Sequence, residues 1–200
     1  MTSSRSSLER VGHALVQTGA WPGRAAAWLL LPMIALVLAA VIGSLMKVGQ
    51  IATWQTDVPI FGTGLTLNGL AELQWHMLTI LVMLGMSYAL AVDQHVRVDL
   101  VYGQLSPRKQ ALLDLIGDVL FLLPFCFIIG WLSLSFVEFS YNTGEKSDYG
   151  GLSDRYLIKA FLPIGFVFLG ITGIGRVLVH LGRIFGPDPS PSVVNEDLNG

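Results

Sequence analysis

The chain has 200 residues, 52% of them hydrophobic and only 13% charged, with a mean hydropathy of +0.61. That balance argues for a bilayer and against an ordinary water-soluble domain. A net charge of -2 without any block of like charge gives no footing for a nucleic-acid partner, and a single cysteine, Cys126, leaves no disulfide framework and no cysteine-based zinc site.

The first 24 residues are polar and Ser-rich; Leu8, Val11, Leu15 and Val16 fall on one face of a short surface helix. Ala25 to Met46 carries no charge and is the first of four runs that approach the roughly 20 residues needed to cross a hydrocarbon core. A cleaved signal peptide does not fit it, because the run is too long and no A-x-A site follows. The stretch "WQTDVPIFGTGLTLNG" reads as a loop. The second run, Leu73 to Val92, contains only His76. Glu72 stands at its start, where a negative charge suits the positive end of the helix dipole, and His76 reads as a hydrogen-bonded packing residue.

Next comes "AVDQHVRVDLVYGQLSPRK", with Asp93, His95, Arg97 and Asp99 on alternate positions. An extended strand would put all four on one side. A helix lying in the headgroup layer would pair Asp93 with Arg97 and turn Val98, Val101, Tyr102 and Leu105 toward lipid, and from about Val98 this is the preferred reading. Ser106 then caps the next helix and Pro107 takes its first turn. Asp114 and Asp118 share a face just before the third run, Val119 to Val137. They admit an ion path or, more readily, a structural contact with Arg97 or with a partner's basic residue. In "NTGEKSDYGGLSDRY" a Gly-Gly turn with Ser153 as N-cap leads to the fourth run, Ala160 to Gly175, which "RYLIK" and "RVLVHL" extend.

The expectation is therefore an all-α membrane protein with four transmembrane helices and an interfacial elbow between helices 2 and 3. Residues 1–24 form a cytoplasmic segment, 25–182 the membrane domain, and 183–200 a cytoplasmic tail whose proline and polar content is that of a disordered end. Basic residues set the orientation. With the amino terminus inside, Arg5, Arg10, Arg24, Arg97, Arg108, Lys109, Arg176 and Arg183 are cytoplasmic against Lys47, Lys146, Arg155 and Lys159 outside, eight to four.

Candidate chemistry is sparse. Asp93, His95 and Asp99 make a poor cation site with Arg97 among them and a single neutral ligand. A haem-carrying four-helix bundle, the alternative reading, would need His76 and His180 to grip one iron, yet their levels differ by roughly 20 Å at 1.5 Å per residue. Pro32, Pro124 and Pro163 can kink helices, but no deep charge or broken helix pair accompanies them to make a solute path. Small residues at Ala35, Ala39, Gly43, Gly85 and Ala89 offer surfaces for close helix approach, within the bundle or to another subunit.

Three stretches carry a family resemblance: "ELQWH" (Glu72 to His76), "DQHVRVDLVYGQLSPR" (Asp93 to Arg108) and "GGLSDRYLIKAFLPIGF" (Gly150 to Phe166). They resemble the small membrane subunit of tripartite ATP-independent periplasmic (TRAP) transporters, the DctQ-type family, and the likeness covers about Ala25 to Leu181. Ala91 and Val92 stand where relatives often carry basic residues, and Ser153 where a proline is common. The resemblance implies a bacterial inner-membrane subunit without a cofactor and with no enzymatic activity. It would act as a fixed scaffold for a large DctM-type elevator subunit that imports an organic acid with sodium, fed by a DctP-type periplasmic binding protein. It also implies that His95, Arg97 and Asp99 anchor the elbow at the inner surface, against lipid and the large subunit.

Overall fold

A computed structural model describes residues 7–93 and 102–185. Four helical stretches in it are long and apolar enough to cross a membrane: Ser7–Leu45, Leu67–Ala91, Pro107–Thr143 and Arg155–Phe185. The chain is an all-α membrane protein with a small β-hairpin at one end. The end bearing the hairpin is called the hairpin end; the other, where Asp93 and Tyr102 flank residues 94–101, is the elbow end. The predicted elbow residues His95, Arg97 and Asp99 lie outside the described residues.

The first stretch is α1 (Ser7–Ala26), a 3-10 turn (Ala27–Leu29) and α2 (Leu30–Leu45). At about 1.5 Å per residue its 39 residues make a rod approaching twice the thickness of a hydrocarbon core. The 3-10 turn precedes Pro32, whose ring crowds the carbonyl of Trp28 in a regular α-helix. The helix thus begins well before Ala25, and its amino-terminal half packs on a different face from the one expected. Leu8 and Val11 are exposed, while Gly12, Gly19, Ala20, Gly23 and Ala26 are buried. A Cβ at Gly12 would lie 2.7 Å from the Gly175 carbonyl oxygen, and one at Gly23 2.5 Å from that of Leu84. Small residues here let backbone meet backbone.

This packing is testable. A Cβ at Gly19 would sit 2.1 Å from Thr172 Oγ1, and the Gly19 carbonyl accepts a 2.7 Å bond from the buried Ser87 hydroxyl. Gly19→Leu is expected to cost about 3 kcal/mol through overpacking, read as a fall in the thermal midpoint of the detergent-extracted protein. Gly85, a predicted packing position, has nothing within 4 Å of an added Cβ. Gly85→Leu should therefore leave the midpoint unchanged or raise it.

The segment expected as a loop is an antiparallel hairpin, β1 (Gln50–Val58) with β2 (Gly62–Thr66), pairing Gln50 with Thr66 and Thr53 with Gly64. Nearly all of β1 is exposed on both sides, so it shows no alternation of apolar and polar residues to mark it as a strand. Trp54 Nε1 donates to the Gly62 carbonyl at 2.7 Å across the turn. Thr66 then caps α3 (Leu67–Ala91) by accepting from the Gly69 N–H at 2.9 Å. Glu72 consequently lies in the second turn of this helix rather than at its start, and its role is different from the one predicted.

The third stretch is α4 (Pro107–Gly117), a π-turn (Asp118–Leu122) and α5 (Leu123–Thr143). Ser106 occupies the N-cap with extended backbone but makes no side-chain capping bond, and Pro107 follows at N1. The wide π-turn precedes Pro124, which has no N–H and whose ring crowds the Leu120 carbonyl. Gly144 ends α5 in the left-handed conformation. In the fourth stretch, α6 (Arg155–Lys159) and α7 (Phe161–Phe185) are separated by a break at Ala160, just before Pro163. Asp154, not Ser153, is the N-cap of α6, and its side chain instead accepts from the Ile60 N–H at 3.2 Å in the hairpin turn.

α7 is the hub, touching α1, α3, α4 and α5. Leu90, Cys126, Phe166 and Leu169 form its core cluster, with Phe125 edge-on to Phe166 at 5.6 Å. α2 packs on α3, where Gln74 Nε2 donates to the Leu36 carbonyl at 3.1 Å and Gly43 faces Leu67. Ala35 and Ala39 are exposed. The outward faces of α2, the π-turn and α5 display Leu38, Ile42, Phe121, Phe127 and Trp131, as surfaces facing lipid or a membrane partner do.

Candidate functional site

Among the described residues, ion pairs gather into two knots, one at each end of the bundle. At the elbow end the centre is Asp118, at the first position of the π-turn, with its side chain only 8% exposed. Its Oδ2 accepts from Arg176 Nε on α7 at 3.1 Å, and His180 Nε2 stands 3.6 Å from the same oxygen. Arg176 Nη1 reaches across to the carbonyl of Leu90 and to Asp93 Oδ1, both at 3.3 Å. One guanidinium therefore ties α7 to the π-turn and to the last turn of α3. Asp114, one turn earlier, accepts from the Tyr102 hydroxyl at 2.7 Å, and Gln110 Nε2 donates to the Tyr102 carbonyl at 3.0 Å. These bonds hold the point where the chain re-enters α4.

Of the sequence candidates, the structure brings Asp93 and Asp118 together through Arg176, and places Asp114 against Tyr102. The sequence reading missed Arg176 and His180 as members of this group. A signal was present, because an arginine that interrupts an apolar helical run calls for a nearby carboxylate.

At the hairpin end the centre is Glu72. Its Oε2 accepts the Leu152 N–H at 2.8 Å, and its Oε1 accepts from the Ser147 hydroxyl and from Arg155 Nη2 at 3.2 Å. Gly151 packs so closely on this carboxylate that a Cβ would lie 2.3 Å from Oε2. The Thr66 hydroxyl donates to the Gly150 carbonyl at 2.8 Å, and Asn68 Nδ2 to that of Tyr149 at 3.1 Å. The Ser153 N–H donates to the Ile60 carbonyl at 2.7 Å. The connection between α5 and α6 is thereby pinned to α3 and to the hairpin, and its Leu152 is 1% exposed. Glu145 accepts from Lys159 and from Ser140, and these bonds, the Lys159 one foremost, hold its carboxyl below the usual range. His76 makes a local bond between Nδ1 and the Glu72 carbonyl oxygen at 2.7 Å.

Chemically, each knot sets carboxylates against cations drawn from different helices. Such pairs brace helices at fixed distances. His76 belongs to the hairpin end and His180 to the elbow end, so the two do not converge on a shared cavity.

The model of the family "Tripartite ATP-independent periplasmic transporters, DctQ component" matches residues 60–183. The chain belongs to the DctQ family. The matched region starts in the hairpin turn, runs through both knots and ends within α7, so it contains Glu72, His76, Asp93, His95, Arg97, Asp99, Asp114 and Asp118. The long α1–α2 helix precedes it. No curated protein and no solved structure matches the chain. As a DctQ component it is the small permease subunit of a TRAP transporter, and its four apolar helices make it a multi-pass membrane protein.

Proposed function

We propose that this DctQ chain is the scaffold of a sodium-coupled importer of an organic acid, holding a large DctM-type subunit that moves while it stays fixed. A DctP-type binding protein delivers the substrate. The observation that carries this reading is the family match across residues 60–183, a region that coincides with the two cross-braced ends of the bundle. A rigid, internally paired helix set suits a stationary partner better than a moving one. His95, Arg97 and Asp99 anchor the elbow against headgroups and the large subunit.

In this reading the hairpin end is periplasmic and the elbow end cytoplasmic. Both termini lie on the cytoplasmic side of a bacterial inner membrane, and the membrane domain expected at 25–182 extends toward the amino terminus, because Gly12, Gly19 and Gly23 of α1 pack against Gly175, Thr172 and Leu84 of the spanning helices. The eight-to-four basic count supports this orientation. Reporter fusions after Gly186 and within 143–148 are expected to give cytoplasmic and periplasmic signals respectively, and the co-expressed large subunit is expected to co-purify. Reversed reporters would overturn the orientation; a large subunit that never co-purifies would overturn the scaffold role.

A further inference from the structure

We propose that the groove between α5 and α7 at the hairpin end seats a transmembrane helix of the large subunit, which presents a lysine or arginine to Glu138. This rests on the scaffold reading above and names the surface it uses. The groove encloses about 800 Å³ between Leu134 and Val137 on one side and Pro163, Ile164 and Val167 on the other. Its one charged lining residue is Glu138, which lies within α5, five residues before the helix ends at Thr143. At 1.5 Å per residue that is about 7 Å inside the end of the helix.

Glu138 is exposed, and among the described residues it has neither a hydrogen bond nor an ion pair. Three acidic residues at this end are bound, Glu72 to Arg155, Glu145 to Lys159 and Asp154 to the Ile60 N–H, whereas Asp57 and Asp148 stand in the hairpin and the 144–154 connection, outside the membrane-spanning helices. The nearby cation Lys159 is committed to Glu145 and lies 4.0 Å over the ring of Phe136. Phe136 and Glu138 are two residues apart on the helix and so face nearly opposite ways.

A carboxylate on the apolar wall of a transmembrane segment faces protein or water rather than lipid, since acyl chains offer it no donor. Tyr141 and Tyr156, edge to face at 5.1 Å, close the groove on its outer side. Such rings sit at headgroup level, so a lipid amine would have to sink past them to reach Glu138. A basic side chain on a neighbouring helix reaches it from within the membrane. The apolar walls supply the packing surface, and the charge selects a cationic partner and its depth.

The test uses the co-expressed complex with the large subunit. A photo-reactive phenylalanine at Val167, on the groove wall, is expected to cross-link to the large subunit. Glu138→Lys is expected to reduce the co-purified large subunit about ten-fold or more, and Glu138→Gln less. Both variants should keep the thermal midpoint of the isolated chain, because Glu138 has no partner to lose among the described residues. Cross-links from Val167 only to lipid or to a second copy, or Glu138→Lys with undiminished co-purification, would overturn the proposal while leaving the scaffold role standing. Absence of the large subunit from the wild-type preparation would overturn both.

Discussion

Asp118→Ala is expected to lower the stability of the detergent-extracted protein by about 3 to 5 kcal/mol, the cost of leaving one member of a buried ion pair without its partner. Arg176 is the group stranded. Its side chain is 15% exposed, and the remaining acceptors, the Leu90 carbonyl and the half-exposed Asp93, replace only part of what Asp118 supplies. Asp118→Asn should cost less, since the amide oxygen can still accept one bond. The double variant Asp118→Leu with Arg176→Met should recover most of the loss, because removing both charges also removes their desolvation. Thermal unfolding of the four proteins checks this; equal losses in the single and double variants would show that Asp118 acts through something other than Arg176.

Glu72→Ala is expected to release the connection between α5 and α6. Three donors converge on this carboxylate from Ser147, Leu152 and Arg155. Arg155 is about one-third exposed, so its share is small after solvent screening. The orphaned Leu152 N–H and the lost packing bring the total to about 2 to 3 kcal/mol. Gly151→Ala attacks the same contact from the other side, driving a methyl group into the Glu72 carboxylate. In the Glu72→Ala background that methyl has room, so the two losses should be strongly non-additive. Limited proteolysis within residues 144–154, combined with thermal midpoints, reads out both effects. Simple additivity would mean that Gly151 and Glu72 do not press on one another.

Much of the architecture was legible because membrane helices write themselves as uninterrupted apolar runs. Ala25 to Met46 and Val119 to Val137 both lie within or along helices of the structure. Pro107 likewise marked its helix start correctly. What the sequence concealed has physical reasons. The amino-terminal half of the first helix packs through Gly12, Gly19 and Gly23, which carry no hydrophobic signal. The hairpin has no alternating pattern because water reaches both of its faces.

Side-chain pairing was harder to read than helix placement. Asp93 was matched with Arg97 by its spacing along the chain; Arg97 lies outside the described residues, and the structure adds a bond to Asp93 from Arg176, 83 positions away, that no local spacing could suggest. Glu72 looked like a dipole-stabilising residue because the helix start was set five or six positions too late. The capping threonine, Thr66, stands between Leu65 and Leu67, and only its bonds to the Gly69 N–H and the Gly150 carbonyl distinguish it from the other threonines of this segment.

The central claim is that this chain supports transport without performing it, and reconstitution into liposomes tests that most directly. With an inward sodium gradient and the binding protein present, vesicles holding this chain together with the large subunit are predicted to accumulate an organic acid, and vesicles holding this chain alone are predicted to accumulate none. Sodium-driven uptake by the chain alone would contradict the account and would make Asp114 and Asp118 an ion path instead of braces.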